Sequence, residues 1–424
     1  MPILKENRFI TIFIAICMIF YLGLLCLLNS TGIYNIDKST NNDRFFSLDD
    51  VYYTTSIYSV DMENSLRIVK HPLFMVFGNA FAKLERALLG NISMNSHYIL
   101  IILMQIMVQM LALVYLYKLL SEFYRADKKL IFILLAVYAF SVSALIYTFF
   151  SESYIFSGAA LVMSYYFILK KNVPVSILLG VIVTGITITN FVIWAIMILL
   201  LTEGIRRKVI VVFAAVAAFT SLVYIFPVGR MFFSKFFFVF GNSPRNYSDA
   251  YGLFAMVKRT IYSIFGTTIF YVDTVNQSPF GEFPGKAVSF IPGSNILIMA
   301  MMLLWIGLLV YSTVKNYRNR LLFVPLAILI FNILFHGVIQ YGLKEAFLYS
   351  LHHLFAQVLI VAATFLPMGK EPEGTELKRI ALAGKIQSNK ARQAVFVILV
   401  VFFAGEILLN LQGYRDFYNY ILTL

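Results

Sequence analysis

VPVSILLGVIVTGITITNFVIWAIMILLL, residues 173–201, is the stretch that decides the fold. Read as one tilted helix, it would put the basic cluster at residues 206–208 on the opposite side of a membrane from the other basic clusters. Read as two short helices that meet at residues 187–190, it returns that cluster to the common side. Each half has about 15 residues, which is too short to span a bilayer fully. We therefore predict a broken pair whose polar tip is covered by protein or water; one long kinked helix is the alternative.

The composition around this stretch predicts a polytopic membrane protein. Of the 424 residues, 60% are hydrophobic and only 13% are charged, whereas soluble domains carry about 25% charged residues. The net charge of +13 comes from basic clusters at alternate ends of the apolar segments, as the positive-inside rule expects. This placement argues against a nucleic-acid partner. The two cysteines, Cys17 and Cys26, share the first apolar segment and match no zinc motif.

The pattern predicts an all-α fold: a single membrane domain, residues 1–424, with about eleven spanning helices. We expect the N-terminus inside, the first helix retained rather than cleaved, and the C-terminus outside. The predicted loops are a first external loop (29–97), a second external loop (227–292) and a basic cytoplasmic loop (369–393). The predicted helices cover residues 9–28, 98–119, 130–149, 155–169, the two halves of 173–201, 209–226, 294–313, 321–340, 347–367 and 394–411.

The first external loop carries an acidic pair, Asp49 and Asp50. Ser47 and Asp50 have the spacing of a capping box, which predicts a helix that runs to about Asp61. Helix capping and the helix dipole can account for both carboxylates. Capping explains one acid better than two, so we also expect one carboxylate to face a cavity and act as a general base.

A basic segment, Lys70-His71-Pro72, follows in the same loop. Pro72 predicts the start of a second helix, which should end at Gly90. Apolar residues recur along it at three- and four-residue spacing, which is typical of an amphipathic helix at a membrane surface. We therefore expect Lys70 and His71 to lie close to the bilayer, on the same side as the acidic pair.

Two further polar positions are predicted on or near the external side. Glu152 occupies a very short turn between two predicted helices, where it is either a solvated turn residue or a second acid of the same site. Asn190 belongs to the polar tip of the broken pair.

A third polar group, Lys344, Glu345, Tyr349, His352 and His353, begins a late apolar segment. Four of its members fall at i, i+4, i+7 and i+8, which would put them on one helical face. Lys344 and the histidines could hold a phosphate or a sugar, while Glu345 orients one of the cations. An interfacial belt of Tyr, His and Lys is the alternative. The spacing matches no zinc motif, and the metal content stays open.

The second external loop interleaves basic and aromatic residues. Such a pattern can indicate single-stranded nucleic acid. On an external face, however, it favours an interfacial segment that contacts lipid head groups.

These features resemble the GT-C superfamily of integral-membrane glycosyltransferases: a first helix with its N-terminus inside, then a large external loop with an acidic pair and surface helices. The resemblance covers mainly residues 1–210. It implies that Asp49 or Asp50 is the catalytic base or a metal ligand, that Lys70-His71-Pro72 is the basic-proline motif of the loop, and that Glu152 is the second acidic position.

The resemblance also implies a function. We expect an inverting enzyme that transfers a sugar from a polyprenyl-phosphate carrier to a cell-surface glycan or lipid acceptor, at the external face of a bacterial inner membrane. Its partners would be that donor, the acceptor and membrane lipids, and its cofactor could be Mg²⁺ or Mn²⁺. Two alternatives stay open: a polysaccharide polymerase of the O-antigen type, and a transporter of lipid-linked sugars.

Overall fold

The computed structural model describes residues 2–36, 40, 45–46, 48–61, 67–226, 229, 231–236, 251–271, 274–276, 288–290, 295–366 and 389–422. Most of the predicted loops 227–292 and 369–393 lies outside these residues, as does Ser47. The helices of the described part are α1 (Pro2–Ser30), α2 (Asp50–Tyr52), α3 (Arg67–Lys70), α4 (Pro72–Leu89), α5 (Met94–Lys118), α6 (Lys128–Phe140), α7 (Val142–Phe149), α8 (Tyr154–Leu169), α9 (Val173–Ile186), α10 (Asn190–Leu201), α11 (Ile205–Ile225), α12 (Leu253–Ile261), α13 (Ile296–Asn316), α14 (Arg320–Asn332), α15 (Leu354–Ala363) and α16 (Asn389–Ile421).

Several of these helices continue into tighter or wider turns. The π-helical turns Tyr53–Ile57, Leu119–Phe123, Tyr262–Gly266 and Ile333–Val338 extend α2, α5, α12 and α14, and a 3₁₀ helix, Leu343–His352, precedes α15. Two short strands, β1 (Thr274–Asn276) and β2 (Val288–Phe290), pair antiparallel. The described part of the chain is otherwise helical, in agreement with the predicted fold class.

Six helices within the described residues are long and apolar enough to cross a membrane, or eight if each of two bent pairs is one span. The predicted helices 130–149 and 347–367 are not straight, because the chain bends by 51° between α6 and α7 and by 53° at the start of α15. At the first bend, Ser141 caps α7 by accepting from Ala144 N. The Val142 N–H donates across the bundle to Ile269 O instead of continuing α6.

The stretch 173–201 forms the predicted broken pair. α9 ends at Ile186, and Thr187 has an extended backbone (φ −150°, ψ 121°) before α10 begins at Asn190. The two halves pack closely, because a Cβ at Gly180 would lie 2.6 Å from the Trp194 ring. The alternative of one long helix is therefore wrong.

The predicted helix between Pro72 and Gly90 is also present. α4 starts at Pro72 and stops before Gly90, whose φ of 72° a glycine accommodates easily. A Cβ at Gly78 would lie 2.6 Å from Ile57 O, so α4 sits directly on the segment that follows the acidic pair. Leu84 and Leu88, by contrast, are exposed on its other side.

The acid-bearing helix is shorter than predicted. It begins at Asp50, with Asp49 as an N-cap whose side chain makes no capping hydrogen bond, and its π-helical extension ends at Ile57 rather than near Asp61. The predicted capping box cannot be compared, because Ser47 lies outside the described residues. The helix ends earlier than predicted, at Ile57, where it packs against Gly78 of α4.

Candidate active site at the turn between α7 and α8

The short turn between α7 and α8 holds a buried carboxylate. Glu152 is only 2% exposed. Its Oε1 accepts a hydrogen bond from the backbone N–H of Asp49 (2.9 Å), and its Oε2 accepts one from the backbone N–H of Ser153 (3.2 Å). N–H groups that donate to a carboxylate stabilise its charged form. Glu152 is thus not a solvated turn residue; it links the segment 48–61 to the centre of the bundle.

Gln105, a glutamine inside α5, holds this turn through hydrogen bonds to its backbone. Gln105 Nε2 donates to the carbonyl oxygens of Tyr147 (2.9 Å) and Phe150 (2.8 Å), and its Oε1 accepts from the Glu152 N–H (3.3 Å). These carbonyls lie at the C-terminal end of α7, where backbone acceptors lack helical partners. Gln105 therefore sets the conformation in which Glu152 is presented.

The two aspartates occupy different environments. Asp50 is fully buried, and its Oδ2 accepts a hydrogen bond from the Tyr98 hydroxyl at 2.7 Å. The same hydroxyl lies 3.4 Å from the Ser151 N–H. Asp49 is half-buried, and its backbone binds Glu152. The acidic pair and Glu152 therefore belong to one hydrogen-bonded group.

His71 joins this group to the broken pair. Its Nδ1 lies 2.8 Å from the carbonyl oxygen of Ile186, so Nδ1 carries a proton and donates. Its Nε2 lies 3.4 Å from the Tyr53 hydroxyl, which also donates to Ser153 Oγ at 3.0 Å. Next to it, the Lys70 carbonyl accepts from the Ile188 N–H at 3.1 Å. The predicted basic segment thus packs on the tip of the broken pair.

Asn190 covers the other side of this tip. It is fully buried, and its Nδ2 donates to Ser157 Oγ at 2.9 Å, one turn into α8. Its Oδ1 has no hydrogen-bond partner within the described residues. The tip is therefore closed by protein, as predicted, and retains an unused acceptor.

The late segment reaches the same group through Tyr154, the first residue of α8. The ring of Tyr154 lies 5.7 Å from that of Tyr349 and 5.8 Å from that of His352. Tyr349 also stacks on His336 at 4.2 Å. His352 lies within electrostatic range of His71. Side chains almost three hundred positions apart in sequence therefore surround one point beside Glu152.

The predicted late group differs from the structure in its helix type and in the position of His353. The helix Leu343–His352 is 3₁₀ rather than α, and Glu345 has non-helical angles (φ −124°, ψ 25°), so the single α-helical face is wrong. His353 lies beyond the break, where its Nδ1 is 3.0 Å from Gln357 Nε2 in a buried structural contact. Glu345 remains near the cluster, because Tyr147 interacts electrostatically with both Glu152 and Glu345. The side chain of Lys344 lies outside the described part.

The electrostatics of the cluster follow from burial. Burial, and then the nearby Glu152 carboxylate, raise the pKa of Tyr58 well above its usual value. Its hydroxyl therefore stays protonated. Two further polar atoms, Ser151 Oγ and His352 Nε2, are buried without a hydrogen-bond partner in the described part of the chain. Such atoms are costly to leave unpaired unless a ligand or water completes them.

A metal site is not built into this part of the protein. Among the described residues, no three or more His, Cys, Asp or Glu side chains come together in a way that could hold a metal ion. The Mg²⁺ or Mn²⁺ implied by the resemblance thus lacks a ready-made ligand set there.

Sequence reasoning missed Tyr53, Tyr98 and Gln105. Gln105 and Tyr98 lie inside an almost entirely apolar helix, where polar groups usually serve a purpose. A search for polar side chains within the spans would have found Gln105. Comparisons with known proteins add nothing to this geometry: the chain matches no protein-family model, no curated protein and no solved structure.

Proposed function

We propose that this chain is an integral-membrane glycosyltransferase that moves a sugar from a polyprenyl-phosphate carrier to a hydroxyl of a cell-surface glycan or lipid. One observation carries the proposal. Four parts of the chain meet around the Glu152 turn: the acidic pair, the Lys70–His71 segment, the tip of the broken pair and the 343–352 helix. Carboxylates, imidazoles and unpaired polar atoms in one buried group are the parts such a transfer needs.

The proposed reaction is a single displacement. The acceptor oxygen attacks the anomeric carbon opposite the phosphate, the carbon–oxygen bond to the phosphate breaks, and the phosphate leaves with the electron pair. The configuration at the anomeric carbon therefore inverts. Asp49 or Asp50 takes the proton of the acceptor hydroxyl. Asp50 is the more buried and is held by Tyr98, whereas Asp49 is the more accessible.

The departing phosphate needs hydrogen-bond donors or cations. Lys70, His71, Lys344 and His352 are the proposed groups, and the unpaired Nε2 of His352 supports a role for that ring. A neutral imidazole can donate from Nε2 without carrying charge. Donors that are already in place and shielded from water stabilise developing charge effectively.

The proposed setting is the external face of a bacterial inner membrane, with the N-terminus inside, the C-terminus outside and about eleven helical passes. Exposed apolar residues support contact with lipid. Leu84 and Leu88 lie exposed on α4, and Phe254 lies exposed on α12. Between such surfaces a prenyl tail could stay in the bilayer while its phosphate enters the polar group.

The test uses purified protein in liposomes that contain a polyprenyl-phosphate sugar and an acceptor. We expect Asp49→Asn, Asp50→Asn or the double variant to slow the release of free polyprenyl phosphate by about 100-fold or more. Asp61→Asn is the matched control, because Asp61 is an exposed acid of the same loop. Wild-type rates in both single variants and the double variant would refute the assignment.

The same assay separates the two alternatives. A transporter would carry the lipid-linked sugar across the bilayer without releasing free carrier. A polymerase would depend on the arginines of the 227–292 loop rather than on the acidic pair.

A further inference from the structure

His97, near the start of α5, joins three parts of the first external loop. Its Nδ1 lies 2.8 and 2.7 Å from the two carboxylate oxygens of Glu85 on α4. Its Nε2 lies 3.3 Å from the carbonyl oxygen of Thr54, in the turn that extends α2. The side chains of His97 and Glu85 are only 11% and 9% exposed. One ring thus connects α4, α5 and the acid-bearing helix.

The two contacts fix the number of protons on the ring. An ionised carboxylate and a carbonyl oxygen only accept hydrogen bonds, so with Glu85 ionised both ring nitrogens donate. A neutral imidazole has one N–H, whereas an imidazolium has two. We propose that His97 is held as an imidazolium and forms a cationic latch between α4 and the acid-bearing helix.

The surroundings favour this charge. Glu85 supplies the opposite charge at hydrogen-bonding distance, and among the described residues it is the titratable side chain in direct contact with His97. Thr54 O belongs to the last turn of its helix, where backbone carbonyls lack partners and attract cations. An ion pair with this little exposure also persists at salt concentrations that screen surface pairs.

The latch acts on the candidate site through the next residue. Tyr98 donates to Asp50 Oδ2, while His97 holds Thr54 one turn later. The segment from Asp50 to Ile57 is too short to be a stable helix alone. Held at both points, it keeps Asp50 and Tyr53 in place. His97 is therefore a positioning residue; this role rests on the proposed function, whereas the latch itself does not.

Nitrogen NMR of histidine in the full-length protein, reconstituted in nanodiscs, tests the latch. The chain has five histidines, and the His97 signal is assigned by its loss in His97→Gln. We expect two protonated ring nitrogens in wild type at neutral pH, and one in Glu85→Gln. A singly protonated His97 in wild type, or an unchanged ring in Glu85→Gln, would overturn the proposal.

Hydrogen exchange then tests what the latch holds. We expect Glu85→Gln to speed backbone exchange in residues 72–89 and 50–57 by about tenfold, as the loss of a charge-assisted hydrogen bond would. Glu203→Gln is the matched control, because it removes an exposed pair with Lys171. Equal exchange in Glu85→Gln and wild type would contradict the latch.

Transfer kinetics test the positioning role separately. We expect Glu85→Gln to lower kcat several-fold with little change in KM. If NMR and exchange show the latch but no variant of the acidic pair affects transfer, the latch stands and the proposed function fails. An unchanged kcat in Glu85→Gln would leave the latch without a positioning role.

Discussion

Glu152 and Glu406 are both buried glutamates in a largely apolar protein, yet their surroundings differ. Glu152 is 2% exposed, and two backbone N–H groups donate to its carboxylate. Glu406 is 0% exposed in α16, and neither of its oxygens has a hydrogen-bond partner within the described residues. The first position is built to hold a charge. The second accommodates only the neutral acid, because an unpaired buried charge is very costly.

Asn410, one turn after Glu406 in α16, does have hydrogen-bond partners. Asn410 accepts from the Tyr271 N–H and donates to the carbonyls of Phe140 and Ile269. Burial alone therefore does not distinguish the two glutamates; the backbone donors that face Glu152 do.

Among the variants that test the difference between Glu152 and Glu406, we expect Glu152→Gln to have the largest effect on stability and transfer. The new amide cannot accept at both positions, so one backbone N–H faces an N–H₂ group and two charge-assisted hydrogen bonds are lost. We expect the free energy of unfolding to fall by about 2–4 kcal/mol and transfer to fall at least about tenfold. Thermal unfolding and the liposome assay measure the two effects. Wild-type behaviour in both would show that the donors around Glu152 are incidental.

A smaller effect is expected for Tyr98→Phe, which removes only the hydroxyl that donates to Asp50. Asp50 loses its short hydrogen bond while the ring still fills its place. We expect a loss of about 1–2 kcal/mol in stability and a several-fold lower kcat. Tyr138→Phe is the control, because its buried hydroxyl also has no hydrogen-bond partner within the described part and lies outside the site. Equal kcat values for the two variants would remove Tyr98 from the site.

The smallest effect is expected for Glu406→Gln. A neutral acid and an amide have nearly the same shape, so stability should change by no more than about 0.5 kcal/mol. Transfer should remain at the wild-type rate. A large loss in either measurement would mean that Glu406 is charged, and the contrast with Glu152 would fail.

The sequence predicted those helix boundaries that depend on local residues such as proline, glycine and basic clusters. Pro72 and Gly90 bound α4, and the distribution of basic clusters revealed the break at residues 187–190. The sequence did not predict the bends at Ser141 and His353, because they depend on contacts across the bundle. The burial of Glu152 was not predicted either, because hydropathy treats a carboxylate on a short turn as solvated. Tyr98 was hidden in a helix that is apolar on all sides, where periodicity does not show which face is inward.

The most direct test is an experimental structure of the chain in a nanodisc with a polyprenyl-phosphate sugar bound. We expect the saccharide between the Glu152 turn and Tyr154, with the phosphate within hydrogen-bonding distance of His71 or His352 and one carboxylate of the acidic pair beside the anomeric carbon. A sugar bound elsewhere, or His352 and the acidic pair on opposite faces of the membrane, would contradict the account.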